Sequence, residues 1–112
     1  MKDYELGQII KDRRIQLKIS PEKVANACGV HRATYNRWEN GSTKDIKRGH
    51  IDTLAKMLYL PLDVLLGIDT NVEIEEASVV IKRKEIIDLL NNIKDIDKLN
   101  NIKKYIEVFY GA

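Results

Sequence analysis

The sequence predicts an all-α protein, and three observations predict it. Apolar residues recur at three- and four-residue spacing along most of the chain, the period of one helix face. The strict alternation of a half-buried strand is nearly absent, with Val72-Glu73-Ile74 the one short stretch that shows it. The only two prolines, Pro21 and Pro61, each follow a break in the apolar pattern and precede a run of helix formers, the place of proline in the first turn of a helix.

Taken in order, Leu6, Ile9, Ile10, Arg13 and Leu17 mark a first helix over 4–18, with Leu6, Ile10 and Leu17 as its core positions. Ser20 caps a second helix, with Pro21 at its first position and Lys23 where a capping box would carry Glu. Val24, Ala25 and Cys28 form its apolar stripe, and Gly29 ends it as a left-handed cap. A third helix covers about 31–39 and stops at Asn40-Gly41. After a polar loop over 42–46, a fourth helix over 47–58 buries Ile51, Leu54, Ala55 and Leu58. A short fifth helix runs over 61–66, and Gly67 ends it. Residues 68–78 are acidic and polar and form a linker; two further helices follow at about 79–93 and 96–110, with Asp95 or Asp97 as the cap between them.

Composition narrows the function classes. With 112 residues, 44% of them hydrophobic and 32% charged, the chain holds one modest core and an appendage. Its longest apolar run, Met57 to Leu60, falls far short of the roughly 18 residues of a membrane span. The polar N-terminus is unlike a signal peptide. The single cysteine, Cys28, forms no internal disulfide, in keeping with a reducing cytoplasm. Residues 1–67 carry 12 Lys/Arg against 8 Asp/Glu, whereas residues 68–112 carry 7 against 9. The basic share sits in the N-terminal part, where an electrostatic footprint on phosphate would be expected.

Residues 21–40 carry the function. Two short helices joined by the turn Gly29-Val30-His31 make an αα corner. Small Ala25 lets their backbones approach, and Val30, Tyr35 and Trp38 face the core. Arg32, Ala33, Asn36 and Arg37 are left on the outer face, and arginines on an exposed helix suit the major groove of DNA.

These residues resemble the phage repressor and Cro helix-turn-helix proteins, the XRE family, over about residues 6–67. The resemblance rests on Arg14-Ile15-Gln16-Leu17, Val24-Ala25 with Gly29 four further on, Trp38-Glu39-Asn40-Gly41, Leu54-Ala55-Lys56-Met57-Leu58 and Leu65-Leu66-Gly67, in that order. It implies a five-helix repressor-type DNA-binding bundle over 1–67, with the third helix reading the major groove; the C-terminal helical hairpin that follows is read from the apolar spacing alone. It implies base-reading roles for Arg32, Ala33 and Arg37, beside Asn36 from the outer face. Arg14, Ser20, Thr34 and Asn40 fall at phosphate-contacting positions, and Arg14 and Glu39 at an internal ion pair. Pro21 stands where the family commonly has a DNA-contacting Gln, so that contact is lost. The 40–51 connection is about two residues longer than in the shortest members, and its candidate phosphate contacts are Thr43, Lys44, Lys47 and Arg48.

Other roles are weighed against these. Tyr35 and Trp38 match buried positions better than stacking platforms, and Cys28 is expected to be a packed, inert thiol. His31 and His50 have no partners at metal-ligand spacing, so neither a metal nor a cofactor is expected. The run Lys82-Arg83-Lys84 is compatible with a DNA contact and equally with a solvated helix face. Beyond residue 67 the only serine is Ser78, too little for a self-cleaving peptidase domain, and no enzymatic constellation is present elsewhere.

In the segment 79–112, Ile86, Leu89, Leu90 and Ile93 make one apolar stripe and Leu99, Ile102, Ile106 and Phe109 another. They point to homodimerisation on an inverted repeat of double-stranded DNA. The alternatives are that these stripes dock on the chain's own N-terminal domain, or that the protein is an antitoxin-like or regulatory module whose C-terminal helices bind a protein antagonist or another partner.

Overall fold

The computed structural model describes residues 3–42, 46–68 and 73–111. Every regular element among them is a helix: α1 Asp3–Gln16, α2 Pro21–Cys28, α3 Arg32–Asn40, α4 Arg48–Leu58, α5 Leu62–Leu65, α6 Ala77–Asn91 and α7 Ile96–Tyr110. The fold class expected from the spacing of apolar residues is the fold class observed. The chain divides into two compact units between Val80 and Ile81.

In the first unit, the core is built from one face of each helix. Ile10 and Leu17 on α1, Val24 and Ala25 on α2, Tyr35 and Trp38 on α3, and Ile51, Leu54 and Leu58 on α4 are all buried. Leu6, expected with them, is only half-buried. Val64 and Leu65 on α5 close the core, and Val80 at the start of α6 is fully buried. The closely packed helix pairs all lie among α1 to α5.

Helix ends follow from local chemistry. α1 stops at Gln16, two residues before the expected end, because Lys18 turns left-handed (φ 59°) and the Ile19 N–H reaches back to the Arg14 carbonyl. α4 begins at Arg48, with Lys47 in the cap position, and ends on Tyr59, also left-handed at φ 53°. Pro61 precedes α5 and does not enter it. α6 starts at Ala77 and ends at Asn91, two residues earlier at each end than the periodicity indicates. Residues 73–76 form no strand; Val72 lies outside the described residues.

Arg13 is the one buried charged residue among the described residues, at 5% exposure. Its Nε donates to the Leu58 carbonyl at 2.8 Å and its Nη2 to the Tyr59 carbonyl at 3.2 Å. The last carbonyls of a helix have no intrahelical donors, so the guanidinium completes the end of α4 and meets the negative pole of its dipole. Burial lowers the Arg13 pKa, and the charge of Glu75 partly offsets that. A cation at an apolar period thus serves as a cap.

α1 meets α3 at Gly7. A Cβ at this position would lie 2.6 Å from the Glu39 carbonyl oxygen and closer still to that of Trp38. Both are helix backbone, which cannot swing aside as a side chain does. Gly7→Ala is expected to lower stability by about 1–3 kcal/mol despite the better helix propensity of alanine. Urea denaturation would show this as a lower midpoint at unchanged slope; a midpoint equal to the parent's would mean that the two helices can part freely.

In the second unit, α6 continues to Asn91 and α7 follows after a four-residue connection, 92–95. The Asp95 side chain caps α7 by accepting the Asp97 N–H at 2.9 Å, and Gly111 ends the helix left-handed. No described residue from Ile81 to Gly111 is buried. This unit therefore has no core of its own.

Candidate nucleic-acid interface

Short-range chemistry sets the α2–α3 corner. The Ser20 hydroxyl accepts the Lys23 N–H at 3.2 Å and Pro21 opens α2, so the helix start is pinned at Ser20. Gly29 ends α2 at φ 69°, a conformation that costs a residue with a Cβ about 1–2 kcal/mol. The Val30 N–H then bonds back to the Ala25 carbonyl at 3.0 Å, and α3 begins at Arg32. The turn is the Gly29-Val30-His31 segment expected from the sequence, and α3 is displaced by one residue, 32–40 in place of 31–39.

α3 has two faces. Tyr35 is fully buried and Trp38 nearly so, their rings edge-to-face with centroids 5.9 Å apart. Trp38 also meets the half-buried His50 ring at 5.1 Å, which ties α3 to the first turn of α4. On the opposite side Arg32, Ala33, Asn36, Arg37 and Asn40 are exposed, with Thr34 half-buried at the edge. The four residues expected to read bases therefore share one solvent face on a helix anchored by two aromatic rings.

Arg14 and Glu39 meet beneath that face. Arg14 Nε donates to Glu39 Oε2 at 2.8 Å, Nη2 to Oε1 at 3.3 Å, and Nη1 to the Ile19 carbonyl at 3.0 Å. The side chains are 12% and 7% exposed. The hydrogen bond to Glu39 raises the Arg14 pKa against the opposing effect of burial. The Tyr35 hydroxyl lies within electrostatic reach of both without closing a well-formed hydrogen bond to either. Burial first, and then the Glu39 carboxylate, raise its pKa.

The remaining sites fall around this core. Ser20 and Lys47 are exposed, and Arg48 donates to Asp52 at 3.4 Å within its own helix. Thr43 and Lys44 lie outside the described residues. Cys28 is buried and desolvation raises its thiol pKa, which disfavours the reactive thiolate. Among the described residues no three His, Cys, Asp or Glu side chains gather where they could hold a metal, and no helix is long and apolar enough to cross a membrane.

One partner of the α3 face was not singled out from the sequence. Arg32 Nη1 donates to Glu22 Oε1 at 2.8 Å across the turn. Its signal is a carboxylate and a guanidinium ten residues apart on either side of a helix-turn-helix corner, which no local periodicity brings together.

The expected dimerisation residues belong to the second unit. Leu90, Leu99, Ile102 and Ile106 line a groove of about 330 Å³ whose rim carries Lys103 and Glu107. Ile86, Leu89 and Phe109 are 50%, 66% and 65% exposed, while Ile93 is half-buried. Further exposed apolar residues, Ile87, Ile96, Tyr105, Val108 and Tyr110, widen the surface, and Tyr105 stacks on Phe109 at 4.3 Å.

Two comparisons bear on this geometry. The family described as Helix-turn-helix matches residues 10–65, from the middle of α1 to the end of α5. The chain belongs to the XRE-type helix-turn-helix family. A relative from Vibrio cholerae, the transcriptional repressor RstR of the cryptic phage CTXphi, is 30% identical over 89 residues, which cover 80% of this chain and 74% of that protein. Family membership makes the protein a DNA-binding regulator of transcription.

Proposed function

We propose that the protein is a cytoplasmic, non-enzymatic repressor of prophage or related bacterial genes that binds an inverted-repeat operator as a homodimer, with α3 in the major groove. The observation that carries this reading is the two-faced α3: Tyr35 and Trp38 anchor it from below, and Arg32, Ala33, Asn36 and Arg37 are exposed above. Both guanidinium groups reach solvent, and the natural acceptors for such forks are guanine O6 and N7. Asn36 offers an amide suited to adenine N6 and N7, and Ala33 leaves room for a thymine methyl. Arg14, Ser20, Thr34, Asn40, Thr43, Lys44 and Lys47 are assigned to phosphates, with Arg14 aimed by Glu39. The likeness to a phage repressor supports the regulatory sign.

Operators selected from a random duplex pool test this. Arg32→Ala and Arg37→Ala are each expected to weaken binding to the selected site by about 1–3 kcal/mol, and to relax preference at one or two base pairs. Fluorescence anisotropy on the selected site and its single-base variants measures both effects. If the two variants keep the parent's base preference, α3 is not the reading helix.

A further inference from the structure

We propose that Glu22 is a specificity-determining residue, holding the Arg32 guanidinium for base contact and withholding it from the phosphate backbone. This rests on the reading of α3 as the recognition helix.

Glu22 is the second residue of α2 and Arg32 the first of α3, so the contact spans the helix-turn-helix corner itself. Arg32 Nη1 stands 2.8 Å from Glu22 Oε1, with side chains 54% and 66% exposed. An ion pair this open adds little to folding, because water screens it and two long side chains must be ordered to form it. The contact is therefore more useful to the face it points into than to the core beneath it.

Its geometry leaves the arginine able to read. A guanidinium carries five N–H donors in a rigid fork, and Glu22 engages one nitrogen. Nε and Nη2 remain for acceptors on a base edge. A side chain held at one corner of its fork loses less rotational freedom on docking than a free one, which favours the base contact.

The charge matters in the opposite sense for random DNA. Non-specific affinity comes almost entirely from cations that neutralise phosphates and release counterions. A carboxylate at hydrogen-bond distance partly offsets the charge of Arg32 in advance, and a phosphate must compete with it. Pro21, immediately before Glu22, has no side-chain donor to add a compensating phosphate contact. Arg32 is thus weak towards phosphate and remains competent towards guanine, which widens the gap between operator and random sequence. The other arginine of this face, Arg37, instead donates to the uncharged Thr34 hydroxyl at 3.3 Å.

The test uses the full chain and four proteins: the parent, Glu22→Gln, Arg32→Ala and the double variant. Binding to the selected operator and to a random duplex is measured by anisotropy across a salt series. In Glu22→Gln, random-duplex affinity is expected to rise severalfold, with a salt slope steeper by about 0.9, the value for one further phosphate neutralised. The ratio of operator to random affinity should fall about tenfold. In the Arg32→Ala background the same substitution should change neither slope nor ratio. An unchanged slope and ratio in Glu22→Gln would overturn the proposal, as would an equal effect with and without Arg32, which would make Glu22 a general repulsive charge. If Arg32→Ala alone leaves base preference intact, the recognition-helix reading fails first. Thermal unfolding of all four at the parent's midpoint excludes a folding defect as the cause.

Discussion

Replacing Glu39 with alanine is expected to remove about 3–5 kcal/mol of folding stability, a large share of what a domain of this size has. The magnitude follows from what remains. Arg14 is 12% exposed and donates two hydrogen bonds to the carboxylate that is lost, keeping only the one it donates to the Ile19 carbonyl. A nearly buried cation without its counter-charge costs far more than the intact pair contributes. Glu39→Gln keeps the shape and one acceptor oxygen and should cost less, about 1–2 kcal/mol. Because the pair raises the Arg14 pKa above that of the unfolded chain, the arginine side of this stability is fully present below the ordinary arginine pKa, across the working pH range. Chemical denaturation of the three proteins measures the series. Equal midpoints for Glu39→Ala and the parent would remove the pair from the account of stability. The variant should also lose operator affinity beyond its folded fraction, because Glu39 sits on α3 itself and Arg14 joins that helix to the end of α1.

How much of this was legible in the sequence depends on the range of the interaction. Ser20 as a cap, Gly29 as a left-handed stop and Asp95 before α7 are local rules, and each appears at its residue. The buried face of α4, Ile51, Leu54, Ala55 and Leu58, follows from period alone. What escaped is what one helix does to another. Gly7 looks like a poor helix former until the α3 carbonyls are seen against it. Arg13 sits at an apolar period and serves as a cap for α4, 45 residues away. Lys18 and Tyr59 turn left-handed without being glycine, so α1 ends earlier than its pattern indicates. Glu22 meets Arg32 only because the corner brings α2 and α3 together. The Arg14–Glu39 pairing was reachable at the sequence level through family resemblance, not spacing.

Ile102→Asp is expected to reduce operator affinity a hundredfold or more while leaving affinity for a single half-site unchanged, if the second unit joins two chains as proposed. The exposure of residues 81–111 supports that proposal. None of these residues is buried, and a stretch of that length is below the roughly 40 residues at which a chain can usually stand on its own core. Ile102, Leu99, Ile106 and Leu90 form a groove open to solvent, rimmed by one cation and one anion. A second copy of the same groove is the simplest occupant, since a two-fold axis makes one patch self-complementary and closes the assembly at two chains. That symmetry also matches two half-sites about one DNA turn apart. Linking two weak recognition helices typically multiplies affinity by about 10²–10⁴, and a charged residue in the groove would forfeit that factor. Because Ile102 lies outside the core of the first unit, the variant should keep the parent's helix-turn-helix stability. Sedimentation at micromolar concentration reads the assembly directly: a dimer for the parent and a monomer for Ile102→Asp. A monomeric parent would count decisively against the homodimer. The apolar surface of α6 and α7 would then dock within its own chain or belong to a different protein, and in the second case operator affinity would be indifferent to Ile102 until that protein was present.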